Sequence, residues 1–247
     1  MRPDASKKLA ATAPKGGLNR AIIGAVIAGL AIAGVVIAIL IGTSSNAGDA
    51  ASGSSAQPVG VVGGKGGGIL ANAATAKSTA PTLEIYADFQ CDQCGHFEEV
   101  FGAMLATMAQ AGDVKLVFHT LSFVDENLKN DSSTRSANAA ACAADAGKFL
   151  EYHAAVFAGQ PEREGTGYTD AQLTEFAKTA GISGEPLTTW QECTSSSRHA
   201  QYVTDVQSAA EKAGVFDTPT AKLNGKNITA ELSSPDALAA QIKAATS

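Results

Sequence analysis

The chain has 247 residues and a formal net charge of −6, and only 17% of its residues are charged. With no basic stripe and no aromatics interleaved among lysines or arginines, that balance argues against nucleic acid as a partner. No internal repeat is present.

Residues 1–20 carry Arg2, Lys7, Lys8, Lys15 and Arg20 against one acid, Asp4. Residues 21–42 then hold no charged or strongly polar side chain. As a helix rising about 1.5 Å per residue, this segment spans roughly 33 Å, enough for a bilayer core. The basic residues precede it, so the positive-inside rule predicts a cytoplasmic tail at 1–20, a single transmembrane anchor at 21–42 and an extracytoplasmic remainder. A cleaved signal peptide is the competing reading, with Ser45-Asn46-Ala47 as its small-x-small site, although the apolar run exceeds the usual core of about 7–15 residues. Both readings export the same domain. Residues 43–80 are rich in Gly, Ala and Ser, lack aromatics, and have a short apolar patch at Ile69-Leu70. This composition predicts a flexible linker with a reach on the order of 35 Å.

Residues 81–247 have the size of one ordinary domain. Residues 82–89 alternate as a half-buried strand does. From Phe97 onward, Val100, Phe101, Met104, Leu105 and Met108 recur at helical spacing. Between strand and helix lies Cys91-Asp92-Gln93-Cys94. Cys91 therefore falls at the first turn, where unpaired N–H groups and the helix dipole stabilise a thiolate. The thiolate is the species that attacks disulfides, and such placement lowers a cysteine pKa into the range of about 3.5–7.5. Cys94, three residues on, is placed to close a disulfide with Cys91 or to resolve a mixed one.

Residues 114–121 read as a second strand, completing a parallel βαβ unit. A mostly helical insert follows at about 125–214. In it Thr169 and Gln172 form a capping-box pattern, and Gly181 and Gly214 end helices. Residues 220–223 and 226–229 flank Asn224-Gly225, a tight-hairpin signal. Ser234 then caps a final helix with Pro235 at its first position. The order βαβ, then ββα, is an α/β fold of thioredoxin plan with a helical insertion.

At this point the chain resembles the DsbA-type branch of the thioredoxin superfamily, close to its membrane-anchored actinobacterial members. The resemblance rests on Tyr86-Ala87-Asp88-Phe89-Gln90-Cys91-x-x-Cys94-Gly95-His96-Phe97-Glu98 and on Asp217-Thr218-Pro219-Thr220 before Asn224-Gly225-Lys226. Ser136-Ala137-Asn138-Ala139-Ala140-x-Cys142 and Phe157-Ala158-Gly159-Gln160-Pro161-Glu162 match as well. It implies Cys91 as the attacking cysteine, Cys94 as the resolving one, and Thr218-Pro219 as a cis-proline loop that docks the substrate backbone. Two departures stand out. Asp92 follows the first cysteine where proline is frequent, and Asp217 precedes the Thr-Pro pair where glycine is frequent.

A structural metal half-site at Cys91 and Cys94, aided by His96, is the bland alternative. Zinc sites commonly use two closely spaced pairs, and Cys142 and Cys193 are far apart in sequence, so no metal is expected. Four cysteines in an exported domain instead point to a second, structural disulfide between Cys142 and Cys193, the alternative being two buried free thiols. His96 is expected at the surface beside the active site, where with Asp92 and Gln93 it is a candidate for tuning Cys91.

The expected function is a membrane-tethered, extracytoplasmic thiol–disulfide oxidoreductase that oxidises exported cysteine-containing proteins without a bound cofactor. The resemblance implies a quinone-linked membrane partner for reoxidation. The rivals are a reductase or isomerase, favoured by the acidic site, and a thiol-based metal chaperone or binding module.

Overall fold

The structure, a computed structural model, describes residues 56–246. The tail at 1–20, the anchor at 21–42 and part of the expected linker lie outside the described residues. Among the described residues no helix is long and apolar enough to cross a membrane.

A five-stranded mixed sheet organises the domain: β1 (Ile69–Leu70), β2 (Thr82–Ala87), β3 (Lys115–Thr120), β4 (Thr220–Leu223) and β5 (Lys226–Asn227), in the order β1-β3-β2-β4-β5. β2 and β3 run parallel with Ile85 opposite Phe118, whereas β2–β4 and β4–β5 are antiparallel. Alternation in β2 sends Leu83 and Ile85 into the core, both fully buried. Glu84 and Tyr86 point the other way, to a cavity of about 300 Å³ that His119 also lines.

The parallel pair requires a crossover, supplied by α1 (Asp92–Ala111). Its buried stripe of Cys94, Phe97, Phe101 and Leu105 lies at the spacing expected of one helix face, and Gly112 ends it in the left-handed region at φ 71°. The insert comprises α2 (Val124–Leu128), α3 (Ser132–Asp145), α4 (Phe149–Ala158), α5 (Asp170–Thr179), α6 (Glu185–Ser195) and α7 (Ala200–Lys212). The capping box at Thr169 and Gln172 is formed in full. The chain closes with α8 (Pro235–Ala244), capped by Ser234 Oγ, which accepts from Ala237 N–H. Trp190 is a core residue of α6, its indole N–H donating to Ala139 O at 3.0 Å.

Residues 56–80 correct the linker expectation. They lie along the β3 edge of the sheet as ordered structure. Ile69 is 3% exposed, and β1 pairs with β3 through Ile69–Phe118 and Leu70–Val117. Asn72 Nδ2 donates to Ala109 O and Val114 O, and its Oδ1 accepts from Leu116 N–H. His199 contacts Ala56 O at 2.7 Å. Composition misled because this segment is held by backbone and amide hydrogen bonds together with the deeply buried apolar side chain of Ile69, rather than by a large apolar face. Its glycines serve close approach. A Cβ on Gly68 would lie 2.6 Å from Val117 Cγ1, and one on Gly66 2.6 Å from Asp205 O. The segment also covers an edge that would otherwise present unpaired backbone.

Cys142 of α3 and Cys193 of α6 are joined by a disulfide with Cα atoms 5.9 Å apart. It ties two insert helices across a sequence separation of 51 residues. In the chain-entropy picture a loop of that size stabilises by about 4 kcal/mol. Replacing both cysteines by alanine should lower the melting temperature by several degrees. The exchange chemistry of the Cys91 pair should persist, as measured by calorimetry and a thiol-exchange assay on the same sample.

Candidate active site

Phe89 ends the β2 side of the junction and Asp92 begins α1, so Cys91 occupies the N-cap position with extended backbone at φ −72°, ψ 119°. Cys91 and Cys94 are both free thiols; Cys91 is 6% exposed and Cys94 is fully enclosed. The Cys91 Sγ lies 3.6 Å from the carbonyl oxygen of Thr218, in the loop where the Thr218–Pro219 peptide is cis. Tertiary folding thus brings the two motifs, 127 residues apart in sequence, onto one sulfur.

The two sulfurs are electrostatically unequal. A hydrogen bond from the Cys94 thiol does most to lower the Cys91 pKa. Together with the Thr218 side chain and the N–H groups of Cys94 and Gln93, it outweighs burial and brings that pKa down to about 6. Burial pushes the Cys94 thiol well above its ordinary range, and its bond to Cys91 adds to the effect. Attack from Cys91 and resolution from Cys94 is the role assignment this inequality favours.

The junction is clamped from the insert. Gln160 Nε2 donates to Phe89 O at 2.9 Å and to Cys91 O at 2.8 Å, and the Tyr168 hydroxyl donates to Phe89 O at 2.7 Å. A side chain at Gly95 would run into Gln160 Oε1, which explains a glycine directly after Cys94. Behind the loop, Asp88 accepts from Gln90 N–H, Val124 N–H and Ser133 Oγ. Gln90 Nε2 lies 2.8 Å from both Asp125 Oδ1 and Asn130 Oδ1. Burial pushes the fully enclosed Asp88 up to about 7 against the bonds from Ser133, Gln90 and Val124 that favour its charged form. Beneath α1, His153 Nε2 sits 2.9 Å from Glu98 Oε1.

Not every sequence candidate converges on the sulfur. The side chains of Asp92, Gln93 and His96 are exposed, and His96 faces Glu99 on its own helix at 3.9 Å. Asp217 is exposed, with its carbonyl accepting from Thr220 Oγ1 at 2.7 Å. The neighbouring Phe216 is 72% exposed, a large apolar side chain left at the rim. Sequence reasoning missed the clamp, although Asp88, Gln90 and Gln160 all lie inside the motifs that carry the resemblance. It also missed Glu164. The carboxylate oxygens of Asp92 and Glu164 and the Cys91 sulfur all lie within 4.8 Å of one another. The other grouping of potential metal ligands among the described residues, Cys142, Cys193 and His199, has its sulfurs tied up in the disulfide.

A thioredoxin family model matches residues 74–244, and the chain belongs to that family. No curated protein sequence matches it. Among solved structures, the reduced disulfide bond oxidoreductase DsbG from Mycobacterium tuberculosis is 29% identical, over 69% of this chain and 85% of its own, with a TM-score of 0.58. Oxidised DsbA from the same organism is 29% identical, over 70% and 91%, with a TM-score of 0.59. Oxidised BdbD from Bacillus subtilis shares the fold at 24% identity, over 78% and 97%, with a TM-score of 0.60. With a Cys-x-x-Cys pair at a helix start, the chain is a thiol–disulfide oxidoreductase of the DsbA type.

The lowered Cys91 pKa carries a stability consequence. A group depressed on folding adds stability that is fully present above its unfolded pKa, near 9.0, and is lost as pH falls through about 6. In the reduced protein, Cys91 should alkylate with a midpoint near pH 6 while Cys94 resists at all moderate pH. Thiolate absorbance in Cys94→Ala would follow Cys91 alone. Its midpoint should lie above that of the wild type, because the hydrogen bond that does most to lower it is gone.

Proposed function

We propose that this chain is a membrane-tethered, extracytoplasmic oxidase of cysteines in exported proteins, acting through Cys91–Cys94. The observation that carries the reading is the Cys91 sulfur, stabilised as thiolate at the start of α1 and set against the Thr218 carbonyl, with its partner Cys94 enclosed. Stabilising the thiolate stabilises the reduced pair, which makes the disulfide the stronger oxidant. In the oxidised protein, a substrate thiolate attacks the Cys91 sulfur. The Cys91–Cys94 bond breaks, a mixed disulfide forms, and the Cys94 sulfur leaves as thiolate and takes up a proton. A second substrate thiolate then attacks the substrate sulfur of the mixed disulfide, and Cys91 departs as thiolate. Two electrons pass from the substrate dithiol to the protein, and no bound cofactor takes part.

The tether follows from the apolar stretch at 21–42 and the basic residues before it. Regeneration then falls to an oxidant in the same membrane, a quinone-linked partner in DsbA-type systems. A reductase or isomerase role draws on one observation, the Asp92–Glu164 carboxylate pair beside Cys91, which opposes the thiolate. The couple measured against glutathione separates the two. An oxidase should lie more positive than about −180 mV, and a value near −270 mV would make the protein a reductase.

Cys91→Ser should abolish exchange, whereas in Cys94→Ser a Cys91 thiolate that has attacked and opened a disulfide of an exported protein has no Cys94 to release it, so mixed disulfides should accumulate, visible on non-reducing gels. Accumulation in Cys91→Ser instead would reverse the roles. Protease added to spheroplasts should digest the mass beyond Gly42 and spare residues 1–20; a protected C-terminal domain would sink the extracytoplasmic placement.

A further inference from the structure

We infer that Glu164, with Asp92, makes the active site discriminate among substrates by charge, favouring cysteines flanked by lysine or arginine and disfavouring anionic thiols. The inference rests on the oxidase reading above and names the substrate class of that same site. Its basis is geometric. Carboxylates from two separate parts of the chain, the first turn of α1 and a loop of the insert, converge with the reactive sulfur inside 4.8 Å.

The Glu164 loop is held in place rather than merely nearby. Before it, Gln160 is bonded to Phe89 O and Cys91 O; after it, the Tyr168 hydroxyl is bonded to Phe89 O. Within it, Thr166 Oγ1 donates to Arg163 O at 2.8 Å. Both ends are therefore tied to the connection between β2 and α1 that carries Cys91. The rim carries further negative charge in the exposed Asp217, next to the Thr218 whose carbonyl faces Cys91. Arg163 is the one basic residue between Gln160 and Tyr168, and it is flanked by Glu162 and Glu164. His96 faces Glu99.

An attacking thiolate must bring negative charge to the Cys91 sulfur, past two carboxylates. A like-charged substrate meets repulsion at the moment of attack, and a cationic neighbour of the attacking cysteine offsets it. The bond changes are those of the oxidase step: the substrate sulfur joins Cys91 Sγ and the Cys91–Cys94 bond opens. Glu164 and Asp92 exchange no atoms or electrons. They act on the rate through charge alone, so added salt must weaken their effect.

The test uses the full-length chain in a neutral detergent, oxidised, with monothiol peptides identical except for Lys, Ser or Glu on either side of the cysteine. Rates of mixed-disulfide formation are divided by each peptide's thiolate fraction, from its own measured pKa. At low ionic strength the Lys peptide should react about tenfold faster than the Glu peptide, and 0.5 M salt should shrink that ratio several-fold. Glu164→Gln should narrow the ratio, and Glu164→Gln with Asp92→Asn should bring it close to one. Equal rates for the three peptides, or a ratio unmoved by both substitutions, would overturn the charge discrimination while leaving the oxidase reading intact. If the wild type oxidises none of the peptides, nor a reduced model protein, the oxidase reading itself has failed and the discrimination falls with it.

Discussion

The position of one sulfur at the beginning of one helix governs the rest of this molecule. Cys91 serves as the N-cap of α1, so its sulfur sits at the positive end of the helix, where the backbone of Gln93 and Cys94 favours its thiolate. That arrangement works only if the preceding loop cannot relax. An N-cap free to swing by an ångström or two would lose the N–H groups and the Thr218 carbonyl together.

Much of the polar interior can be understood as the means of preventing that relaxation. Asp88, Gln90, Asp125 and Ser133 are enclosed together behind the loop, at a desolvation cost that leaves the Asp88 carboxyl near 7. Groups of this kind are tolerated only when each finds partners, and here they do, across α2, α3 and the β2–α1 junction. The insert is therefore not an ornament on a thioredoxin core. It supplies Ser133, Asp125, Gln160 and Tyr168, the side chains that hold the cysteine loop, and the Cys142–Cys193 bridge joins two of its helices.

Two opposing electrostatic influences meet at Cys91. Short-range hydrogen bonds stabilise the thiolate, while the carboxylates of Asp92 and Glu164 stand within 4.8 Å of it. Hydrogen bonds at fixed geometry act on the equilibrium between thiol and thiolate. The carboxylates sit at the exposed rim, where water and salt weaken them and where they act on whatever approaches from solution. One site can in this way be stabilised inwardly for reactivity and biased outwardly for its partners.

Local pattern determined a large part of this protein. Alternation over 82–89, the helical stripe from Phe97, the Thr169 and Ser234 caps and the Asn224-Gly225 turn depend on near neighbours, and the elements formed agree with them. The place of Cys91 at a helix start was legible for the same reason. Composition failed at 56–80, because hydrogen bonds of Asn72 and close approaches of Gly66 and Gly68 depend on partners remote in the chain. Tertiary structure alone decided that Thr218 faces Cys91, that Asp88 is enclosed, that Gln160 grips the loop, and that Glu164 reaches the sulfur from the middle of the insert. Each is a contact between residues that share no local period, so only the folded path of the chain could bring them together.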